Sequence, residues 1–333
     1  MDASDHGIRL RSSARTSIGQ VRENNEDSVR LWMQDEYVVA VVADGMGGAV
    51  AGEEASRIAV ETLQQGKFLQ TPDDSPRDLS DDQAVSWLSD TIRSANGNIF
   101  QRAASNPELR GMGTTMTLAF VRSSHAIIAH VGDSRAYLVD GHTGRITQIS
   151  ADHSFVEALV AAGHLTHEQA EEHPMRNVLY RALGQNEDVD VDIYEVHLRT
   201  GDRIVLCSDG LTRHVKPLEI AATVVQEDDP GVASQSLIDL ANERGGEDNV
   251  SVIVVSLDGV ESDEDTDELK DLLLLTEDDL VVKDRSVDTI EVSLLSDDDT
   301  HDPSLDLNND DLISYQTDAA PDSEGRDNLA PDQ

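Results

Sequence analysis

This 333-residue sequence has one cysteine, few basic residues and no long hydrophobic run, and each shortage excludes a class of protein. Cys207 cannot form an intrachain disulfide, and its place in an apolar strand indicates core packing rather than nucleophilic chemistry. The sequence has only 25 lysines and arginines but 66 acidic residues. This composition argues against a nucleic-acid partner, because binding to a phosphate backbone needs a basic surface. No segment approaches the roughly 20 apolar residues that cross a bilayer, so we expect no membrane insertion.

The first residues carry neither a basic start nor an apolar stretch of the kind that signal peptides contain. Together with the single cysteine, this predicts a reducing, cytoplasmic location. The length allows one large domain or two ordinary ones and is ample for a substantial core.

The negative charge is concentrated near the C-terminus. Residues 258–333 contain 26 acidic and 4 basic residues, so they contribute −22 of the total net charge of −41. Ordering a chain costs about 1 to 2 kcal/mol of backbone entropy per residue, which the sparse apolar residues here cannot offset. We therefore predict a folded domain at residues 8–257 and a largely disordered acidic tail at 258–333. Its short apolar islands leave two interpretations open, a partner-binding tail that folds on its target or a solubilising tail.

Apolar patterns in the first 257 residues predict an α+β fold. Tyr37–Ala43 is an unbroken β-branched run, typical of a strand buried on both faces that ends at Asp44 and Gly45. Two amphipathic helices follow, and the short strand-like runs between residues 115 and 149 resemble an antiparallel meander. Strands grouped around helix pairs favour antiparallel sheets. For residues 151–183 we predict short helices or a mobile flap whose histidines lie at the solvated surface.

Five short acidic clusters are scattered over the predicted domain. Asp44, Asp209 and Asp248 each end or begin a predicted strand and precede glycine or asparagine, where the chain can turn sharply. Mg²⁺ and Mn²⁺ prefer oxygen ligands, typically one or two carboxylates with water. Any one Asp-Gly pair is more simply a turn. The five clusters together indicate a metal site; they are residues 22–27 (RENNED), 44–48 (DGMGG), 132–135 (GDSR), 208–210 (SDG) and 247–249 (EDN).

These motifs, in this order and spacing, resemble the metal-dependent PPM/PP2C protein serine/threonine phosphatases, in the bacterial form that opposes Hanks-type kinases. The resemblance runs from about residue 8 to 257. It implies a β-sandwich of two antiparallel sheets flanked by helix pairs, with metal ions in a cleft at one end. Its further carriers are residues 19–21 (GQV), 111–115 (GMGTT), 152–154 (DHS) and 245–251 (GGEDNVS).

The resemblance assigns the metal ligands. Asp44 would bridge two ions, the Gly45 carbonyl would bind one of them, and Asp209 and Asp248 would bind the other. Asp133 matches a position associated with a third, weaker metal site. The implied cofactors are two Mn²⁺ or Mg²⁺ ions, with a possible third, which would activate water for phosphoester hydrolysis.

The resemblance also assigns the residues around the ions. Glu26 and Asp27 would hold water molecules of the site, while Arg22 would bind the substrate phosphate, for which a planar guanidinium is suited. Asp133 has an alternative interpretation as a turn residue that pairs with Arg135. Met46 stands where eukaryotic relatives have a histidine proposed to protonate the leaving group, which leaves the identity of the acid open.

The expected partners are phosphorylated proteins, Ser/Thr kinases and the substrates of those kinases, and we expect a monomer. An alternative from another class is a non-catalytic phosphoprotein-binding regulator that recruits a partner through its acidic tail. A third hypothesis is compatible with the phosphatase: the tail would compete with acidic phosphopeptides for the cleft or dock onto a kinase.

Overall fold

The computed structural model describes residues 8–34, 36–70, 75–259 and 283–284. Its strands are β1 (Ile8–Ser17), β2 (Asp27–Gln34), β3 (Tyr37–Met46), β4 (Gly113–Thr114), β5 (Met116–Arg122), β6 (His125–Val131), β7 (Arg135–Val139), β8 (Ile146–Gln148), β9 (Asp192–His197), β10 (Arg203–Cys207), β11 (Val250–Gly259) and β12 (Lys283–Asp284). Its α-helices are α1 (Ala49–Gln64), α2 (Lys67–Gln70), α3 (Asp81–Ser105), α4 (Phe155–Ala161), α5 (His167–Glu171), α6 (Asp209–Thr212), α7 (Pro217–Gln226) and α8 (Pro230–Glu243).

The strands form two antiparallel sheets. One has the order β1-β11-β10-β7-β8, and the other has the order β12-β9-β6-β5-β3-β2 with β4 paired to β3. Every strand pair within the described residues is antiparallel. The predicted sandwich of two antiparallel sheets is therefore confirmed.

Strand β3 is buried on both faces, as its unbroken apolar run predicts. Val39 and Val41 belong to a core shared with helices α1 and α3. Val38 and Val42 point the other way, into a core shared with Ile204 and other residues of the opposite sheet. Since successive side chains of a strand face opposite sides, a strand between two cores needs apolar residues at every position. The strand continues to Met46, one residue beyond the Asp44-Gly45 pair at which it is predicted to end.

Helix pairs cover the outer faces of the sandwich. Helix α3 packs Leu88 and Ile92 against the β3 and β5 side of one sheet. Helices α7 and α8 pack Ile220 and Leu237 against β10 and β11 of the other. Cys207 lies in this last core, which confirms its predicted packing role. The resulting layers are helix, sheet, sheet and helix.

The meander predicted between residues 115 and 149 is wrong in its connection. Strands β5 and β6 form a hairpin in one sheet, whereas β7 and β8 form a hairpin in the other. The chain crosses between the sheets at residues 132–134. Gly132 makes this possible with a φ of 118°, a left-handed conformation that residues with a Cβ rarely adopt.

The boundary of the predicted domain lies close to the end of β11. Strand β11 pairs with β1 as far as Gly259, two residues beyond the predicted boundary at 257. Further along, Lys283–Asp284 forms strand β12 on the edge of β9, opposite Glu195 and Tyr194. The predicted disorder of the rest of the tail lies outside the described residues. Among the described helices, none combines the length and apolar character that a membrane span requires.

Candidate active site

The acidic clusters converge at one end of the sandwich. Asp27 begins β2 and faces Asp44 of β3 as its cross-strand partner. Asp133 lies in the crossing between the sheets, and Asp209 begins α6 directly after β10. The pKa of Asp44 is raised well above its usual range, first by burial and then by the negative charges of these three residues and Asp248. Carboxylates from five separate places in the sequence therefore lie close enough to repel one another.

Glycines allow the backbones that carry these carboxylates to approach closely. A Cβ on Gly45 would lie 2.1 Å from the carbonyl oxygen of Gly52 and 2.7 Å from that of Glu26. The Gly45 N–H donates to the same Glu26 carbonyl at 3.1 Å. A Cβ on Gly210 would lie 1.9 Å from the carbonyl oxygen of Asn249. Because Gly45 and Gly210 have no side chain, the end of β3 can lie against α1, and α6 can lie against the start of β11.

Asp27 is buried among hydroxyl groups. Its Oδ2 atom accepts hydrogen bonds from Ser208 at 2.8 Å and Ser251 at 2.6 Å. Its Oδ1 atom is buried and, within the described residues, has no hydrogen-bond partner. Burial raises the pKa of Asp27 to about 7; the two serine hydrogen bonds lower it, and the charges of Asp209 and Asp248 raise it. This carboxyl thus has an unused oxygen in a strongly negative environment.

Glu26 lies next to Asp27 and is buried against the start of α1. Burial raises its pKa, while the positive charge of Arg22 opposes the rise. The backbone N–H of Glu26 donates to the Asn249 side chain at 2.7 Å. The Asn249 amide in turn donates to the carbonyls of Ile18 and Asn24, at 3.0 and 2.9 Å. Asn249 therefore joins the loop that carries Arg22 and Glu26 to the start of β11.

Asp133 lies in the crossing between the sheets. Burial raises its pKa to about 8, and the charges of Asp209 and Asp152 add to the rise. Arg135 directs its guanidinium to Asp152, at 2.7 to 3.0 Å, and to the hydroxyl of Tyr137 at 3.1 Å. The alternative interpretation, a turn in which Asp133 pairs with Arg135, does not match these contacts.

Two arginines contact the carboxylates. Arg22 donates to Asp248 Oδ2 at 2.9 Å, lies 3.9 Å from Glu26 Oε1, and is 45% exposed. Arg213 donates to the same Asp248 oxygen at 3.1 Å and forms an ion pair with Asp209. Arg22, the residue predicted to bind phosphate, therefore contacts Asp248 while its side chain stays partly exposed to solvent. Arg213 was not among the predicted site residues.

The carboxylate oxygens gathered at this end of the sandwich are suitable ligands for hard divalent cations. Burial and neighbouring negative charges raise the pKa of Asp27, Asp44 and Asp209, and the buried Oδ1 atom of Asp27 has no hydrogen-bond partner in the described part of the chain. Mg²⁺ and Mn²⁺ take oxygen ligands and would offset this repulsion. Among the described residues, no three side chains of His, Cys, Asp or Glu are arranged so that they could already hold a metal ion. The guanidinium groups of Arg22 and Arg213 hold the outer carboxylates instead.

Comparison with known proteins places this geometry in a family. A model of the protein phosphatase 2C family matches residues 16–239. The chain belongs to the protein phosphatase 2C family. It is 38% identical over 250 residues to the serine/threonine phosphatase stp of Listeria monocytogenes, covering 75% of this chain and 96% of that protein.

Two solved structures of family members share the fold. The serine/threonine phosphatase of S. agalactiae superimposes with a TM-score of 0.68 at 35% identity, covering 74% of this chain and 99% of that one. The catalytic domain of the phosphatase PstP in complex with two manganese ions gives a TM-score of 0.64 at 35% identity, covering 75% of this chain and 99% of that one. The family resemblance stated from the motifs is therefore confirmed.

In this phosphatase 2C chain, residues 152–183 are held to the sandwich at both ends. At one end the His153 N–H donates to the Gly132 carbonyl at 2.7 Å, and at the other an isolated bridge joins Leu183 to Thr114. Helices α4 and α5 lie within the stretch, and a second bridge joins Ser154 to Leu179 inside it. The prediction of surface histidines is wrong for His153, which is 1% exposed. Its ring accepts from the Gly132 N–H at 3.0 Å and lies 2.9 Å from Asp192. His153 is buried because it joins this stretch to the crossing that carries Asp133.

Sequence reasoning missed the polar residues that support the carboxylates. Ser208 and Ser251 hold Asp27, and Thr115 accepts the Asp44 N–H at 2.9 Å. Ser208, Ser251 and Thr115 lie within motifs that carry the family resemblance, but these motifs do not indicate which carboxylate each residue contacts. Arg213 lies four residues after Asp209, the spacing of neighbours on one face of a helix, and this is the signal that could have indicated their contact.

Proposed function

We propose that this protein hydrolyses phosphoserine and phosphothreonine in proteins with the help of divalent metal ions, and that it opposes Ser/Thr kinases. The observation that carries the proposal is the convergence of Asp27, Asp44, Asp133, Asp209 and Asp248 at one end of the sandwich. The serine/threonine phosphatases among its relatives support the reaction. The two manganese ions of the PstP structure support the metal dependence.

Asp44, the Gly45 carbonyl, Asp209 and Asp248 are the proposed ligands of two Mn²⁺ or Mg²⁺ ions, and Asp133 of a third. When bound, such ions lower the pKa of coordinated water and stabilise the charge on phosphoryl oxygens. The protein holds the backbones that carry these carboxylates in a fixed arrangement, because the Asp44 N–H donates to the Thr115 hydroxyl at 2.9 Å and the backbone makes close contacts at Gly45 and Gly210.

Arg22, Glu26 and Asp27 have roles beside the ions. Arg22 is proposed to bind the substrate phosphate, since its half-exposed guanidinium lies at the solvent side of Asp248. Glu26 and Asp27 are proposed to orient water molecules through their carboxylates. Position 46 offers no acid that could protonate the leaving oxygen, because the side chain of Met46 cannot donate a proton.

The proposal is tested with a phosphothreonine peptide, Mn²⁺ or Mg²⁺, and the full chain. We expect hydrolysis that EDTA abolishes and that Asp209→Asn reduces by about a hundredfold or more, in line with the loss of a group that positions a catalytic ion. The matched control is Asp239→Asn, which changes an aspartate of α8 that contacts Gln235. Turnover that survives EDTA or Asp209→Asn would contradict the metal mechanism.

The same experiment separates the alternative function. A protein that binds the phosphopeptide without hydrolysing it would be the non-catalytic regulator. Opposition to kinases is tested by comparing protein phosphorylation in cells with and without this protein. We expect phosphoserine and phosphothreonine to rise in a defined set of proteins in its absence.

A further inference from the structure

Arg213 joins two of the proposed metal ligands. Its Nη2 atom forms an ion pair with Asp209, and its Nη1 atom lies 3.1 Å from Asp248 Oδ2. The Arg213 side chain is 28% exposed, and those of Asp209 and Asp248 are 17% and 16% exposed. One guanidinium group therefore holds carboxylates from two elements that are far apart in the sequence.

Local structure sets this position. Asp209 begins helix α6 and Arg213 follows its last residue, with the Arg213 N–H donating to the Asp209 carbonyl at 3.0 Å. Residues four apart lie on one face of a helix, so the two side chains meet. The close contact of Gly210 with Asn249 brings α6 against the residues that precede β11, among them Asp248.

The charge of Arg213 also acts on carboxylates beyond its two direct partners. It lowers the pKa of Asp133 and of Asp209, in both cases against the effect of burial. Burial would lower the pKa of Arg213 itself, but the charges of Asp209, Asp248 and Asp44 raise it. Arg135 also lowers the pKa of Asp133, but its guanidinium donates to Asp152 and to the Tyr137 hydroxyl. Arg213 thus supplies positive charge at the place where a divalent cation would supply it.

We propose that Arg213 is a positioning residue that holds Asp209 and Asp248 together in the metal-free protein and competes with a divalent cation for them, so that it weakens metal binding. The inference rests on the proposed function, because it needs these carboxylates to be metal ligands. It adds that metal binding displaces an ion pair already present in the chain. Arg213 then stabilises the metal-free state more than the metal-bound state.

Calorimetric titration of the full chain with Mn²⁺ tests the competition. Removing a unit charge close to a divalent ion changes its binding by about tenfold even in a solvated site, so we expect Arg213→Gln to bind Mn²⁺ about tenfold more tightly than the wild type. Arg213→Lys keeps the charge and should stay within about threefold of the wild type. The control is Arg57→Gln, because Arg57 also joins two carboxylates, Glu54 and Glu61, on helix α1.

Thermal unfolding provides the second readout. In EDTA, Arg213→Gln should unfold at a lower temperature than the wild type, and saturating Mn²⁺ should remove or reverse this difference, because ligand that binds only the folded state stabilises by its affinity. A merely structural role would lower the unfolding temperature equally with and without Mn²⁺.

The outcomes are distinguishable. Arg213→Gln binding Mn²⁺ no more tightly than Arg57→Gln, or an equal loss of stability in both conditions, overturns the role of Arg213 while leaving the phosphatase proposal intact. Failure of the wild type to bind Mn²⁺ at all overturns the metal-dependent function itself.

Discussion

Asp27 and Asp44 face each other directly across the antiparallel pair of β2 and β3. Like charges at directly opposed positions destabilise a sheet. Burial raises the pKa of Asp44, and the charge of Asp27 is the next contribution. The folded protein therefore carries a repulsion at its proposed active site that protons or cations relieve.

The first prediction concerns stability against pH without metal. Asp27 and Asp133 have folded-state pKa values of about 7 and about 8, above the unfolded value near 4, so the folded state binds protons more tightly. Their stabilising effect is complete below about pH 4 and is lost as pH rises through about 7 to 8. In EDTA, we expect the unfolding temperature to fall by about 4 °C or more between about pH 5 and 8.5. Asp44→Asn removes another carboxyl group whose pKa is raised in the folded state, so it should flatten this dependence. A variant whose unfolding temperature depends on pH as strongly as that of the wild type would contradict the explanation.

The second prediction concerns the hydroxyl groups around Asp27. Ser251→Ala removes the 2.6 Å hydrogen bond to Asp27 together with a 2.9 Å hydrogen bond to the Thr16 hydroxyl, which should lower the free energy of unfolding by about 1 to 2 kcal/mol. Ser256→Ala is a matched control on the same strand, because the Ser256 hydroxyl is equally buried and lacks a hydrogen-bond partner among the described residues. Chemical denaturation of both variants measures the difference. Equal losses would show that the Asp27 contact contributes nothing.

The third prediction concerns the contact between α6 and β11. Gly210→Ala places a Cβ 1.9 Å from the Asn249 carbonyl, so the helix must move away from Asp248. We expect a loss of about 2 kcal/mol or more in stability, together with weaker Mn²⁺ binding. Gly97→Ala, in helix α3, meets nothing within 4 Å and should stabilise the protein by about 0.5 to 1 kcal/mol. Two losses of similar size would argue against the close-contact explanation.

The fourth prediction concerns Arg22. At saturating Mn²⁺, Arg22→Ala should raise KM for a phosphothreonine peptide by about tenfold or more, since a hydrogen bond between charged groups contributes about 1.5 to 3 kcal/mol. The control is Arg30→Ala, which removes an arginine of β2 that contacts Gln64. Steady-state kinetics on both variants decides the role, and an unchanged KM would show that Arg22 does not bind the phosphate.

The fifth prediction concerns the domain boundary. Strand β11 ends at Gly259, and the family match ends before it, at residue 239. A chain that ends at Gly259 should fold and hydrolyse a short phosphopeptide at the wild-type rate. Slower or faster turnover would favour a tail that acts on the cleft. Failure to fold would show that the boundary is wrong, and circular dichroism detects it.

Much of the fold followed from local patterns in the sequence. The apolar run Tyr37–Ala43 predicts a strand between two cores because it has no polar position, and β3 has that place. The crossing at residues 132–134 could not be predicted, because strands on either side of it have the same apolar pattern whichever sheet they join. Likewise, His153 is buried through contacts with Gly132 and Asp192, which no spacing in the sequence indicates.

The sequence by itself determined the chemical character of the candidate site, since Asp44, Asp209 and Asp248 stand at strand ends beside glycine or asparagine. Ligand type and backbone freedom are local properties, and short motifs encode them. Only the tertiary structure decided which groups surround each carboxylate. Ser208 reaches Asp27 from the N-terminal end of α6 and Ser251 reaches it from β11, and Arg213 reaches Asp248 across the gap between α6 and β11. Such contacts depend on how separate elements pack, which is a property of the folded chain as a whole.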